Sequence, residues 1–203
     1  MNITVYCGAL TGKDPEFARR AEELGAWMAK NGHRLVYGGG NAGMMGAIAG
    51  AVHREGGHIT GVTPDFFIFA EEILDLIDDL RVTKDMAERR QIMMDEGDAF
   101  IALPGGSGTL DEISEVIALR RLGMLGETDK PIMLYNINGY YDHLLQFFDR
   151  MTGEEFNRPI DRAGIYEVCS VEDIEKVLES AGRTFDERIT LYSGKTPVSV
   201  SEE

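Results

Sequence analysis

The feature that most constrains this chain is the run Ala99-Phe100-Ile101-Ala102-Leu103, closed by Pro104-Gly105-Gly106. Five consecutive apolar residues cannot form a strand with one wet face. Such a strand must be covered on both sides, which places it at the centre of a parallel sheet. Its neighbours in sequence fit that setting, because short apolar runs alternate with amphipathic segments from one end of the chain to the other. Strand–helix alternation of this kind predicts an α/β protein, a doubly wound and mostly parallel sheet with helices on both faces.

The individual elements follow from period and punctuation. Strands are expected at Ile3 to Cys7, Arg34 to Tyr37, Ile59 to Val62, Ala99 to Leu103, Pro131 to Tyr135 and Tyr166 to Cys169. Leu80 to Val82 reads as a further brief strand. Helices are expected at Pro15 to Lys30, Gly43 to Arg54, Lys84 to Glu96, Thr109 to Leu122, Tyr141 to Met151 and Val171 to Glu179. In the first of these, Phe17, Ala21, Leu24 and Met28 recur at helical spacing. Asp14 is its expected N-cap, Pro15 opens it, and Asn31-Gly32 ends it. The segment Pro64 to Leu80, with Phe66, Phe67 and Phe69, reads as a loop or short helix. Residues 1–192 are expected to form one domain, and the polar stretch from Ser193 a flexible tail.

Charge and cysteine content exclude several function classes. The formal net charge is −15, so non-specific nucleic-acid binding, which needs Lys and Arg against phosphate, is not expected. An anionic ligand would need a local positive site within this negative field. The two cysteines, Cys7 and Cys169, form no Cys-x-x-Cys pair and read as buried thiols at strand positions. The four histidines lack metal-ligand spacing, and no metal or organic cofactor is expected. The N-terminus enters a strand directly, without a leader signature or an apolar run long enough to span a bilayer. A cytoplasmic protein without membrane partners is the expectation.

Chemistry concentrates where the central strand ends. In Pro104-Gly105-Gly106-Ser107-Gly108-Thr109-Leu110-Asp111-Glu112 a buried strand runs into a glycine-rich turn that opens a helix. Unpaired N–H groups and the helix dipole favour an anion there, and Ser107 and Thr109 add hydroxyls. The Gly-Lys-Ser/Thr of a Walker loop is missing. A structural alternative stands beside this one: Thr109-Leu110-Asp111-Glu112 fits a capping box, in which Glu112 only satisfies a backbone N–H.

Two further segments are candidates. Gly38-Gly39-Gly40-Asn41-Ala42-Gly43 follows a strand and precedes a helix, so it falls at the same sheet edge as the first loop. It matches G-x-G-x-x-G formally, with Asp65 near a ribose-binding position, although it follows the second strand rather than the first. In Met86-Ala87-Glu88-Arg89-Arg90, two guanidinium groups suit phosphate; alternatively they form a solvated face paired with Asp85 and Glu88. Tyr140 and Tyr141 read as a turn feeding a helix, and Met44, Met45, Met93 and Met94 as packing residues.

These segments together resemble the Lonely guy (LOG) family of nucleotide phosphoribohydrolases, long misnamed lysine decarboxylases. The family marker Pro-Gly-Gly-x-Gly-Thr-x-x-Glu is complete at Pro104 to Glu112. Met86 to Arg90 resembles its Met-x-x-Arg-Lys segment, and Tyr37 to Gly46 its glycine loop. Lys130-Pro131 and Asn138-Gly139-Tyr140-Tyr141 with Leu144-Leu145 are similar too, so the resemblance covers residues 3 to 180. It implies a modified Rossmann fold, usually dimeric, that cleaves the N-glycosidic bond of a nucleoside 5′-monophosphate. Cytokinin riboside 5′-monophosphates or AMP would yield free base and ribose 5-phosphate. The family's catalytic Arg and Glu fall on Arg89 and Glu112. Ala87, Arg90 and the segment Ala118 to Leu122 depart from the family pattern, and bear on the identity of the base more than on phosphate or ribose chemistry.

The expected site therefore comprises Arg89 and Glu112 as catalytic groups. Gly105, Gly106, Ser107, Gly108 and Thr109 would hold the phosphate with Arg90, and Gly39, Gly40 and Glu71 (or its neighbour Glu72) would meet the rest of the nucleotide. The competing readings are a nucleotide carrier with little catalysis and a dinucleotide-dependent oxidoreductase resting on Gly38 to Gly43.

Overall fold

The computed structural model describes residues 1–68, 76–126 and 130–180. Among the described residues seven parallel strands form one sheet: β1 (Asn2–Tyr6), β2 (Arg34–Tyr37), β3 (Ile59–Pro64), β4 (Asp79–Thr83), β5 (Ala99–Ala102), β6 (Ile132–Tyr135) and β7 (Ile165–Val168). Their spatial order is β4-β3-β2-β1-β5-β6-β7, and every pairing is parallel. The fold is thus Rossmann-type. The winding direction reverses between β1 and β5, whose register runs from Ile3 opposite Ala99 to Tyr6 opposite Ala102. A crevice beyond the carboxyl ends of strands at such a reversal is where ligands bind in this architecture.

The helices are α1 (Pro15–Lys30), α2 (Gly43–Arg54), α3 (Asp65–Ile68), α4 (Met86–Glu96), α5 (Ser107–Arg121), α6 (Asp142–Gly153), α7 (Pro159–Ala163) and α8 (Val171–Ser180), with a 3-10 turn at Ile137–Gly139. Alternation along β5 divides the core between the two faces. Ala99 and Ile101 pack with Leu24 and Met28 of α1, Ile48 of α2 and Ile174 of α8. Phe100 and Ala102 pack with Met93 of α4, Ile113 and Val116 of α5, and Leu145 and Phe148 of α6. Asp14 caps α1 as its position implies, its carboxylate accepting from the Glu16 N–H at 2.9 Å. No helix among the described residues is long and apolar enough to cross a membrane.

Four expectations need correction. Helix α5 begins at Ser107 rather than Thr109, because Gly106 is its N-cap and leaves Thr109 inside the first turn. The capping box at Thr109 to Glu112 is therefore not formed. The brief strand near Leu80 is a full edge strand of five residues, and α7 is an added short helix that Pro159 opens. Both cysteines lie one residue beyond their strands, and Cys169 is exposed rather than buried. The expected tail from Ser193 and the domain limit at 192 lie outside the described residues.

Candidate active site

Three loops meet at the reversal between β1 and β5. Gly8 N–H donates to the Pro104 carbonyl at 3.1 Å, which joins the loop after β1 to the loop after β5. Met44 N–H donates to the Gly8 carbonyl at 3.1 Å, which brings the start of α2 to the same place. Gly43 has φ +60, and a Cβ there would run into the Ala9 carbonyl, so this approach requires glycine. The result is a cavity of about 490 Å³, within the usual range for small-molecule sites.

The Pro-Gly-Gly loop and the first turn of α5 form one wall, through Gly105, Gly106, Ser107, Gly108 and Thr109. Helix geometry leaves the N–H groups of this turn without intrahelical acceptors, and Gly106 supplies no side-chain cap. The turn is therefore open to an anion, with the helix dipole in support.

Arg89 and Glu112 stand against this wall and face each other. Arg89 Nη1 donates to Glu112 Oε1 at 2.5 Å, and Arg89 Nε donates to the Val62 carbonyl at 2.9 Å. Each residue is only 9% exposed, yet both line the cavity. Arg89 is thus no part of a solvated helix face. Asp85 caps α4 by accepting from the Glu88 N–H, and Glu88 accepts from the Lys84 N–H, so neither acid neutralises Arg89. Burial pushes the Glu112 carboxyl above its ordinary value, and the Arg89 guanidinium opposes that rise. Beside the pair, burial also raises the Cys7 thiol and the Tyr6 phenol, which keeps both neutral.

The other expected residues divide. Gly39 and Gly40 are buried and do not line the cavity, whereas Gly38 does. A Cβ on Gly38 would collide with Arg89 Nη2, so the missing side chain makes room for the guanidinium. Arg90 does not line the cavity, because its side chain is drawn to Glu115 at 2.5 Å and Asp111 at 3.5 Å on α5. Asp65 is exposed and outside the cavity, which leaves the dinucleotide reading without its acid. Glu71, Glu72 and Phe69 lie outside the described residues, whereas Phe67 lines the cavity.

Sequence reasoning missed the loop Gly8 to Gly12, together with Phe17, Met45, Met86 and Tyr140. A signal for the loop was present, since the turn after the first strand of a doubly wound sheet always borders the reversal point. Tyr140 was less legible. Its hydroxyl donates to the Gly105 carbonyl, a contact 35 residues away in sequence.

A Rossmann-type sheet with a cavity at its reversal point, walled by an open helix start and a buried Arg–Glu pair, defines a small-molecule-binding α/β protein. Comparison with known proteins narrows this class. A family model described as possible lysine decarboxylase matches residues 45–180. The cytokinin riboside 5′-monophosphate phosphoribohydrolase LOG7 of Arabidopsis thaliana is 39% identical over 185 residues, covering 91% of this chain and 84% of that protein. LOG3 of the same plant, of the same description, is 39% identical, covering 87% and 81%. The chain belongs to this LOG family of phosphoribohydrolases. Among solved structures, the molybdenum cofactor carrier protein of Chlamydomonas reinhardtii superposes with a TM-score of 0.68 at 21% identity, covering 88% of this chain and 96% of that one. The molybdenum cofactor binding protein of Rippkaea orientalis gives 0.64 at 23%, covering 88% and 95%. At that identity the likeness is one of fold.

Proposed function

We propose that this protein hydrolyses the N-glycosidic bond of a nucleoside 5′-monophosphate, a cytokinin riboside monophosphate or AMP, releasing free base and ribose 5-phosphate. The observation that carries the reading is that the buried Arg89–Glu112 pair and the open N-terminus of α5 share one cavity. The family's named relatives act on cytokinin riboside 5′-monophosphates, and the residues fit that chemistry.

The 5′-phosphate is placed on the N–H groups of Gly106 to Thr109. Among the described cavity residues the ionisable pair Asp111 and Glu112 outweighs the charge of Arg89, so backbone amides and the helix dipole must carry much of the anion binding. The ribose then lies toward Glu112. Departure of the base takes the C1′–N electron pair and leaves oxocarbenium-like charge on the sugar. The Glu112 carboxylate stabilises that charge and orients the attacking water, whose oxygen bonds to C1′ while a proton goes to the departing base. Arg89, fixed by Val62 and the space at Gly38, keeps the carboxylate aimed and opposes the rise that burial causes in it. Leu10, Phe17, Met45, Phe67 and Tyr140 supply apolar surface for the base. We also infer a homodimer in the cytoplasm. Leu110, Leu122 and Met124 expose apolar surface that a second copy would cover, and light scattering at twice the chain mass tests this.

Purified protein incubated with AMP, N6-isopentenyladenosine 5′-monophosphate and adenosine, with free base followed by chromatography, tests the reaction. Release from the nucleotides and not from adenosine is expected. Tight nucleotide binding without release would instead favour the carrier reading.

A further inference from the structure

We infer that Tyr140 is a positioning residue for the anion-binding loop, setting the direction of the Gly106 N–H through its hydrogen bond to the Gly105 carbonyl. The inference rests on the phosphate placement just described.

Three successive carbonyls of the loop are each held by a donor from another element. Tyr141 Oη donates to the Leu103 carbonyl at 2.7 Å, Gly8 N–H to that of Pro104 at 3.1 Å, and Tyr140 Oη to that of Gly105 at 2.5 Å. A trans peptide unit is planar and holds its N–H opposite its C=O. Fixing the Gly105 carbonyl therefore fixes the Gly106 N–H, the first donor of the site. Glycine on both sides of this peptide unit gives it wide rotational freedom, so the clamp removes motion that the local sequence allows.

The tyrosine is itself held. Its ring meets Phe17 and Tyr141 edge-on, at centroid distances of 5.7 and 5.1 Å. The turn that carries it is tied by Asn136, whose side chain accepts from the Tyr141 N–H at 2.7 Å and donates to Asp142 and Glu167. Asn138, at φ 52, donates to Asp14 at 2.8 Å and so links this turn to the cap of α1. A rigid frame thus presents one hydroxyl to one flexible peptide. Because that hydroxyl sits in the cavity wall and is spent on the loop, its effect falls on phosphate affinity rather than on bond cleavage.

The test is Tyr140→Phe, which keeps the ring contacts and removes only the donor. Binding of ribose 5-phosphate is measured by calorimetry, steady-state kinetics on AMP give kcat and KM separately, and the thermal midpoint is followed alongside. The expected result is about a 2- to 10-fold weaker ribose 5-phosphate affinity with a matching rise in KM, the loss of one hydrogen bond's worth of preorganisation. kcat and the thermal midpoint change little. Unchanged ribose 5-phosphate affinity in Tyr140→Phe, with hydrolysis intact in both proteins, overturns the positioning role and leaves the reaction standing. A fall in kcat without a change in affinity also overturns it. Unmodified protein that binds neither ribose 5-phosphate nor AMP overturns the phosphate placement and this inference with it.

Discussion

Gly38→Ala isolates the geometry of the Arg89–Glu112 pair from its composition. The added methyl would collide with Arg89 Nη2 and approach the Met45 sulfur at 3.2 Å. Gly38 has no left-handed backbone conformation, so alanine is tolerated by the chain itself and lowers unfolded-state entropy, a gain of about 0.4–1 kcal/mol. The guanidinium is the movable party. Displacing it disrupts hydrogen bonds to Glu112 and Val62, and one bond to a charged group is worth about 1.5–3 kcal/mol. The net destabilisation should be about 1–2 kcal/mol, a fall of a few degrees in thermal midpoint for a chain this size. The catalytic loss should be larger, on the order of 10²-fold in kcat/KM, because the Glu112 carboxylate that stabilises the developing positive charge loses the guanidinium that aims it. Gly56→Ala is the control. Gly56 has φ +71 and open surroundings, so alanine there strains the backbone by about 1–2 kcal/mol with no route to the site. Thermal melts and base-release kinetics on both variants decide the matter. Equal activity in Gly38→Ala and Gly56→Ala would refute the claim that Gly38 exists to seat Arg89.

Three further outcomes concern ionisable groups. The kcat/KM profile should lose activity on its acid side through a group above about 4.3, the ordinary glutamate value, because Glu112 must be ionised and burial raises its carboxyl. For stability the sign is opposite. A raised folded value means that the Glu112 contribution is present below the unfolded value and lost as pH rises through the folded one, so Glu112→Gln should gain in thermal midpoint over the unmodified protein from acid to neutral pH. Asp161 behaves as the usual carboxylate: hydrogen bonds from Arg158 hold it low, so its contribution is present above the unfolded carboxylate range and lost as pH falls through its lowered value. Asp161→Ala should lower stability by about 1–3 kcal/mol at neutral pH in denaturant melts, because it accepts from the Arg158 N–H at 3.0 Å and its guanidinium at 2.8 Å where α7 begins.

Most of the sheet was legible because its signals are local. The apolar run at Ala99, the Asp14-Pro15 start and the Asn31-Gly32 stop each carry their own physical cause. The Pro-Gly-Gly loop was legible as a place for the same reason. What stayed hidden depended on pairs distant in sequence. Thr109 has the spelling of a cap, but Gly106 takes the N-cap position and the helix starts two residues earlier. Gly38, Gly39 and Gly40 are indistinguishable on paper, and the position of Arg89 decides which one borders the cavity. Arg89 and Arg90 are adjacent and alike, but one faces the sheet end and the other the flank of α5. Tyr140 gave no sign of its role, since its partner carbonyl belongs to a loop that folding alone brings near.

The central claim is that Glu112 performs the chemistry on a nucleotide held by the α5 N-terminus. The most direct measurement is single-turnover release of adenine from AMP by the unmodified protein and by Glu112→Gln, with AMP affinity determined for both. The account predicts that Glu112→Gln binds AMP within a few-fold of the unmodified protein and releases base about 10²-fold more slowly or less. Full release by a folded Glu112→Gln protein would contradict it.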